Sequence, residues 1–315
     1  MSLAIQWSAI VPGHSRHLLV VDPDGAHLYV ADGWGVAYTN LNLRILNMAD
    51  GAEQAKVRTR HQQARAIAFA DADALVATDS RLFQLSRKHL VEKHAWDSRV
   101  PRYTDTIEHE NGKLLMANWL RPTAAVFDLD NGRSSRLPLE AGVRALHRGR
   151  ELLVYALSSG VLRSLDLTTR SHRVLIQGEP GRGVAIIADR WLAVLKADWK
   201  TDSGGVQLPA HASREIALYD LEAGTVRAFP LSQDTVAVEG AANSSLLWLL
   251  QLGSGPSELP SVVEQVELPS FRSVQTVVAP VGSHVAQVIP SKSVVVFLVP
   301  DYAENRATLS LARMS

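Results

Sequence analysis

The stretch "HLYVADGWG" (27–35) decides the fold. An apolar run meets an Asp-Gly pair, then a tryptophan, then another glycine. The chain returns to this order in "LLMANWLRP" (114–122) and "LAVLKADWK" (192–200). Each time, a short strand runs into Asp or Asn and then Trp. Such runs, five to seven residues long and bounded by turn residues, read as strands. Their recurrence marks a unit that buries its apolar face only by stacking on its neighbours.

Working outward from these second strands, a first strand precedes each and ends in a turn. Seven such starts are "HLLVVDPDG" (17–25), "ARAIAFADAD" (64–73), "TDTIEHENG" (104–112), "VRALHRG" (143–149), "VAIIADR" (184–190), "VAVEGAANS" (236–244) and "VAQVIPSKS" (285–293). A third strand follows each second one, and Met48, Leu85, Leu129, Leu167, Leu221, Leu268 and Leu311 take equivalent places in it. The mean step between them is about 44 residues, the period of a propeller blade. The seventh unit runs out of chain before its fourth strand, while "AIQWSAIV" (4–11) stands unassigned ahead of the first. An open ring would leave strand edges unpaired. The expectation is therefore an all-β, seven-bladed β-propeller with four-stranded antiparallel blades, strand 4–11 completing the last. It forms one domain over 1–315, with blades near 12–60, 61–95, 96–139, 140–177, 178–231, 232–278 and 279–315 plus 4–11.

"LLVVDPDGAHLYVADG" (18–33), "KLLMANWLRPTAAVFDLDNG" (113–132) and "LRILNMADG" (43–51) resemble the repeats of the YVTN-like and LVIVD-like propeller families. The resemblance implies the architecture. Those families share no single activity, so it implies nothing about chemistry.

Composition narrows the function classes. The 315 residues carry 32 basic and 32 acidic side chains, a formal net charge of 0. A general nucleic-acid or anionic-membrane binder needs a basic surplus, so neither is expected as a partner. There is no cysteine, which excludes disulfides, thiolate chemistry and cysteine-ligated zinc. The opening "MSLAIQWSAIVPGHSR" lacks the basic start of a secretory signal, and no apolar run reaches membrane-spanning length. A cytoplasmic, monomeric protein is the expectation.

In a propeller, the second-to-third-strand loops and the crossings between blades share one rim. Trp34, Trp119 and Trp199 follow second strands, Trp96 lies in the crossing after the second blade, and Tyr38 and Tyr302 occupy second-to-third loops. Each can be a wedge between blades or part of a binding face, since aromatic and arginine side chains supply most contact energy at interfaces. First strands open at the same rim, and beside their starts stand Arg16, His17, Arg65, Arg102, Arg144, Arg182 and His284, with Asp234 breaking the trend in the sixth blade. Paired with neighbouring carboxylates they are structural; left open they make a positive well for an acidic protein or an anionic ligand. The long stretches 196–214 and 252–261 belong to this rim too. Asp128, Asp166 and Asp220, at third-strand ends, are turn residues of the other rim. Trp7, Trp191 and Trp248 fall within strands and read as core.

No nucleophile elbow, phosphate loop, zinc-binding helix or EF-hand is present. The pair in "HSRH" (14–17) is weak as a metal site. The rim acids Asp32, Asp97, Asp198, Asp301 and Glu304 belong to different blades, so no metal or other cofactor is expected. Two readings of function stand. One is a non-catalytic binding propeller presenting an aromatic and basic rim to a protein partner or anionic ligand. The other is a lactonase-like hydrolase or lyase acting on a small anionic substrate at the central channel.

Overall fold

The acidic residues at third-strand ends turn the chain as their chemistry requires. Asp128 accepts the backbone N–H groups of Asp130 and Asn131, Asp166 those of Thr168 and Thr169, and Asp220 those of Glu222 and Ala223. A side chain that bonds its own backbone two and three residues on closes a tight turn. Strand follows strand through such turns in the computed structural model, which describes residues 4–97, 100–204, 206–241, 243–253 and 258–314. Among them the only helical pieces are two single 3-10 turns, Tyr38–Asn40 and Pro290–Lys292.

The chain divides into two compact units. The first comprises Met1–Asn118, Thr123–Pro138 and Val296–Ser315. Its four-stranded antiparallel sheets are Leu19–Val21, His27–Ala31, Asn42–Asn47 and Glu53–Arg58; Ala64–Ala70, Asp73–Thr78, Leu82–Ser86 and Glu92–Trp96; and Thr106–Glu110, Lys113–Ala117, Ala124–Asp128 and Arg133–Leu137. It also holds strand Arg306–Arg313, against which Ala4–Pro12 pairs from Ala4↔Arg313 to Pro12↔Arg306. The whole of that sheet runs Ala4–Pro12, Arg306–Arg313, Val294–Asp301, His284–Ile289. The N-terminal strand is thus the outer strand of the last blade. Its Trp7 is buried and donates its indole N–H to Met48 O at 2.9 Å.

The second unit comprises Trp119–Pro122 and Leu139–Val295. It contains the sheet Val143–Arg148, Glu151–Ala156, Val161–Leu165 and His172–Gln177, and one seven-stranded sheet. That larger sheet is two blades sharing a single 16-residue strand, Thr225–Gly240. Its first part pairs with Glu215–Asp220 as an outer strand. Its second part pairs with Leu247–Gln251 as an inner one. The sequence expectation divided these blades near 231/232, and the shared strand runs through that point. Pro230 sits there opposite Glu215, beside a shift in register, and a bulge tolerates a residue with no N–H to give. Counting the shared strand once for each blade, the sheets make seven blades.

Second strands form the core, as near-continuous apolar runs buried on both faces require. Leu28, Tyr29 and Val30, Leu114, Leu115 and Met116, and Leu192, Ala193 and Val194 are all inaccessible to solvent. In the first unit one cluster joins Tyr29, Ile45, Val76 and Phe83. In the second, another joins Leu153, Tyr155, Leu192 and Val194. Trp248 is core, as read from sequence, whereas Trp191 is half-buried under Arg190. The stretch 196–214, expected as a loop, folds into a small hairpin of Trp199–Thr201 on Gln207–Pro209. Of the stretch 252–261, residues 254–257 lie outside the described residues.

Candidate functional site

In the first unit, backbone bonds tie three segments together. His14 N–H donates to Trp34 O at 2.7 Å, Trp34 N–H to Ser15 O at 2.7 Å, and Gly13 N–H to Asn305 O at 2.8 Å. The crossing into the first blade therefore lies between the loop after His27–Ala31 and the turn after Val294–Asp301. Side chains on this frame point outward. The Arg16 guanidinium lies 3.8 Å from the centre of the Trp34 ring, within cation–π range. His14 packs on Tyr302 with ring centres 4.8 Å apart. Trp34 is 48% exposed, Tyr302 65% and Tyr38 63%. His17 is half-buried, its Nε2 2.9 Å from Pro12 O. Arg16, Trp34, Tyr302 and His14 thus form one open aromatic and basic patch, with Tyr38 exposed farther along the loop that carries Trp34.

The other first-unit candidates are placed differently. Arg65 is held by Asp79 at 2.5 Å and Asp105 at 3.3 Å and lies over Tyr103. These carboxylates hold its guanidinium above the ordinary range against the opposing effect of burial. Arg102 is exposed. Trp96 is half-buried, edge-on to Phe127 and His94. Its ring presses so near Gly132 that a Cβ there would meet it at 3.0 Å. It lines a polar depression of about 600 Å³ together with Gln84, His94, Asp97 and Asp130.

In the second unit, Trp119 and Trp199 meet edge-on at 6.4 Å, and Arg144 lies 5.6 Å from the Trp119 ring. Trp199 is half-buried; its indole N–H donates to Gly181 O at 2.8 Å. A Cβ on Gly142, which holds φ at +72°, would approach the same ring to 2.7 Å. Only glycine takes that backbone shape without strain and leaves the ring its space. Arg182 donates from Nε to Val236 O at 2.7 Å and from Nη1 to Ala210 O at 2.6 Å. A cavity of about 780 Å³ lies against the sixth blade, lined by Leu252, Val262, Val278 and Val281 and edged by the Arg214–Asp234 ion pair. Asp234, which broke the basic trend in sequence, is thereby neutralised.

The rim acids gather no metal site: among the described residues no three metal-ligating groups cluster. Asp32 is buried, 3.0 Å from Arg44 and bonded by Asn42. Burial raises its carboxyl above the usual range, a rise that Asn42 and Arg44 oppose. Asp97 pairs with Arg81 and Asp301 with Arg306. Asp198 and Glu304 are exposed.

Sequence reasoning missed two groups. His14 was read only as half of a weak metal pair, and its contact with Tyr302 joins residues far apart in the chain. Glu239 lies on the inner part of Thr225–Gly240, five residues beyond the Asp234 taken to mark that blade. Solvent reaches Glu239, yet crowding protein pushes its carboxyl up to about 7, with Arg144 opposing the rise.

No protein-family model matches the chain, and no curated protein matches it. Solved structures do. The Pan2 WD40 domain of Neurospora crassa superposes with a TM-score of 0.68 at 10% identity, covering 99% of this chain and 96% of that one. The shared fold is the β-propeller. The RRP9 WD40 repeats give 0.63 at 11%, covering 99% of this chain and 100% of that one. A chain of a mitotic checkpoint complex gives 0.68 at 11%, covering 99% and 94%. At such identities the likeness carries the fold alone. The YVTN-like and LVIVD-like resemblance rests on sequence wording. No helix among the described residues is long and apolar enough to cross a membrane.

Proposed function

We propose that this protein is a non-catalytic interaction propeller, and that its protein partner docks on the patch of Arg16, Trp34, Tyr302 and His14. The observation that carries the reading is the exposure of two large aromatic side chains, Trp34 and Tyr302, on a frame tied together by backbone bonds. An exposed Trp stacked under an arginine matches the residue types that dominate contact energy at interfaces. The likeness to a chain from a checkpoint complex supports a protein as the partner. We further propose that this partner is acidic, that the remaining rim residues read from sequence supply outlying contacts, and that the protein acts as a cytoplasmic monomer of one domain. Crosslinking in the native source, followed by mass spectrometry, identifies the partner. Trp34→Ala should then weaken its binding by about 30-fold, some 2 kcal/mol, with the thermal melt unchanged. Undiminished binding to Trp34→Ala and to Arg16→Ala would defeat the reading.

One observation favours the second reading, hydrolysis or lysis of a small anion. A carboxyl held near 7 suits general acid–base work, and Glu239 is one. Turnover of a lactone panel that disappears in Glu239→Gln would decide for it.

A further inference from the structure

Most arginines that the fold draws inward meet a carboxylate. Arg44 reaches Asp32 at 3.0 Å, Arg65 Asp79 at 2.5 Å, and Arg163 Glu140 at 2.7 Å. Arg182 does not. Its two hydrogen bonds both go to backbone carbonyls, Val236 O and Ala210 O. It forms no ion pair among the described residues, and burial alone, with no acid opposing it, lowers the guanidinium to about 10. A charge taken partly out of water and given no counter-charge is costly, so its retention needs a reason.

The geometry supplies one. A guanidinium presents a planar fork of N–H donors. Nε and Nη1 are used, which fixes the plane, while Nη2 bonds to nothing among the described residues. The bond to Ala210 lies at the solvent-exposed side of the group, so the end of the fork is accessible. The small hairpin holds this arrangement. Trp199, in its first strand, bonds Gly181 next to Arg182, and Ala210, just past its second, supplies the carbonyl. The hairpin is itself tied down by Gln207 N–H to Leu120 O at 3.2 Å and Ala210 N–H to Asp198 O at 2.8 Å. The fork is therefore oriented before any ligand arrives, and preorganisation of that kind cuts the cost of binding.

We infer that Arg182 is an anion site, taking a planar or tetrahedral oxyanion, carboxylate or phosphate, on the free end of its fork. The inference rests on the reading of this protein as a binder and names the chemistry of one contact. The oxyanion has two possible sources, an acidic side chain of a protein partner or a free small anion.

The test titrates the full chain with two probes, inorganic phosphate and a glutamate-rich hexapeptide, and follows tryptophan fluorescence, since Trp199 adjoins the site. The expected result is a saturable change that weakens with salt, with affinity lowered about tenfold or more in Arg182→Gln. In Arg214→Gln, which loses an arginine already paired with Asp234, affinity should hold. Tighter binding of the peptide assigns the contact to a partner's carboxylate, and tighter binding of phosphate assigns it to a small anion. If Arg182→Gln fails to fold, Arg182→Lys takes its place, because lysine keeps the charge and loses the fork and must weaken both probes. Absence of saturation with either probe, or wild-type affinity in the Arg182 variant that folds, overturns the site. A native partner lost with Trp34→Ala but kept with Arg182→Gln would uphold the docking patch and overturn this site alone.

Discussion

Trp34 and Trp199 end the same sequence motif and differ in what they touch. Trp34 lies half in solvent under Arg16, whereas Trp199 fills the space over Gly142 and bonds Gly181. Trp34→Ala should change stability by less than about 1 kcal/mol. Trp199→Ala should cost about 2–4 kcal/mol, from the vacated volume and the lost hydrogen bond. Urea melts of the two variants measure the difference. The motif announced a tryptophan after the second strand, but what meets that ring is set by residues 18 or more positions away and is not written locally. Glu239 makes a second case. Its carboxyl is raised in the folded protein to about 7, so the native state holds a proton that the unfolded chain gives up near 4.3. Stability from this group is fully present below about pH 4 and is lost as pH rises through 7. Glu239→Gln should therefore match the wild type at pH 4 and exceed it at pH 8. Solvent reaches the group and screens it, so the gain should be roughly 1 kcal/mol rather than the full linkage value. Chemical denaturation at the two pH values checks it; a stabilisation equal at both would show that the carboxyl is not perturbed.

At the scale of elements, the strand Ala4–Pro12 carries the clearest prediction. It pairs along its length with Arg306–Arg313 and inserts Trp7 into the core. Removing residues 1–11 should bare the edge of Arg306–Arg313 and lower the melting temperature sharply, accompanied by concentration-dependent association through that edge. A truncated protein that melts like the intact one and stays monomeric would show the pairing to be dispensable. The blade count and the role of this strand were legible in the sequence, because alternating burial stamps a period on Met48, Leu85 and their equivalents. The fusion of two blades by Thr225–Gly240 was not. Residues 231–234 bulge out of this strand against Ser213 and Glu215, and a register set by pairing with another segment has no local signature. The hairpin within 196–214 escaped notice for a similar reason: its strands are three residues each, too short to show alternation.

For the molecule as a whole, the balance of 32 basic and 32 acidic groups gives a sequence pI near 7.2. Self-repulsion is weakest there, so solubility should pass through a minimum near neutral pH and recover on either side, which turbidity against pH would record. The same balance hides where the charge is used. Composition cannot separate Arg65, held between two carboxylates, from Arg182, which has none. The fold was therefore readable from the chain well before any site was, since a period survives averaging and a pairing does not.

The partnership of Ala4–Pro12 with Arg306–Arg313 also orders events in time. Ser8 bonds a serine 302 positions later, so Ala4–Pro12 leaves the ribosome long before the strand it pairs with. At bacterial or eukaryotic elongation rates it waits on the order of 15–60 s, its Ile5 and Ile10 side chains already exposed even in the finished protein. The nascent chain thus carries this strand unpaired until Arg306–Arg313 follows it, a natural target for a holding chaperone. The last blade is completed only after Arg306–Arg313 has emerged.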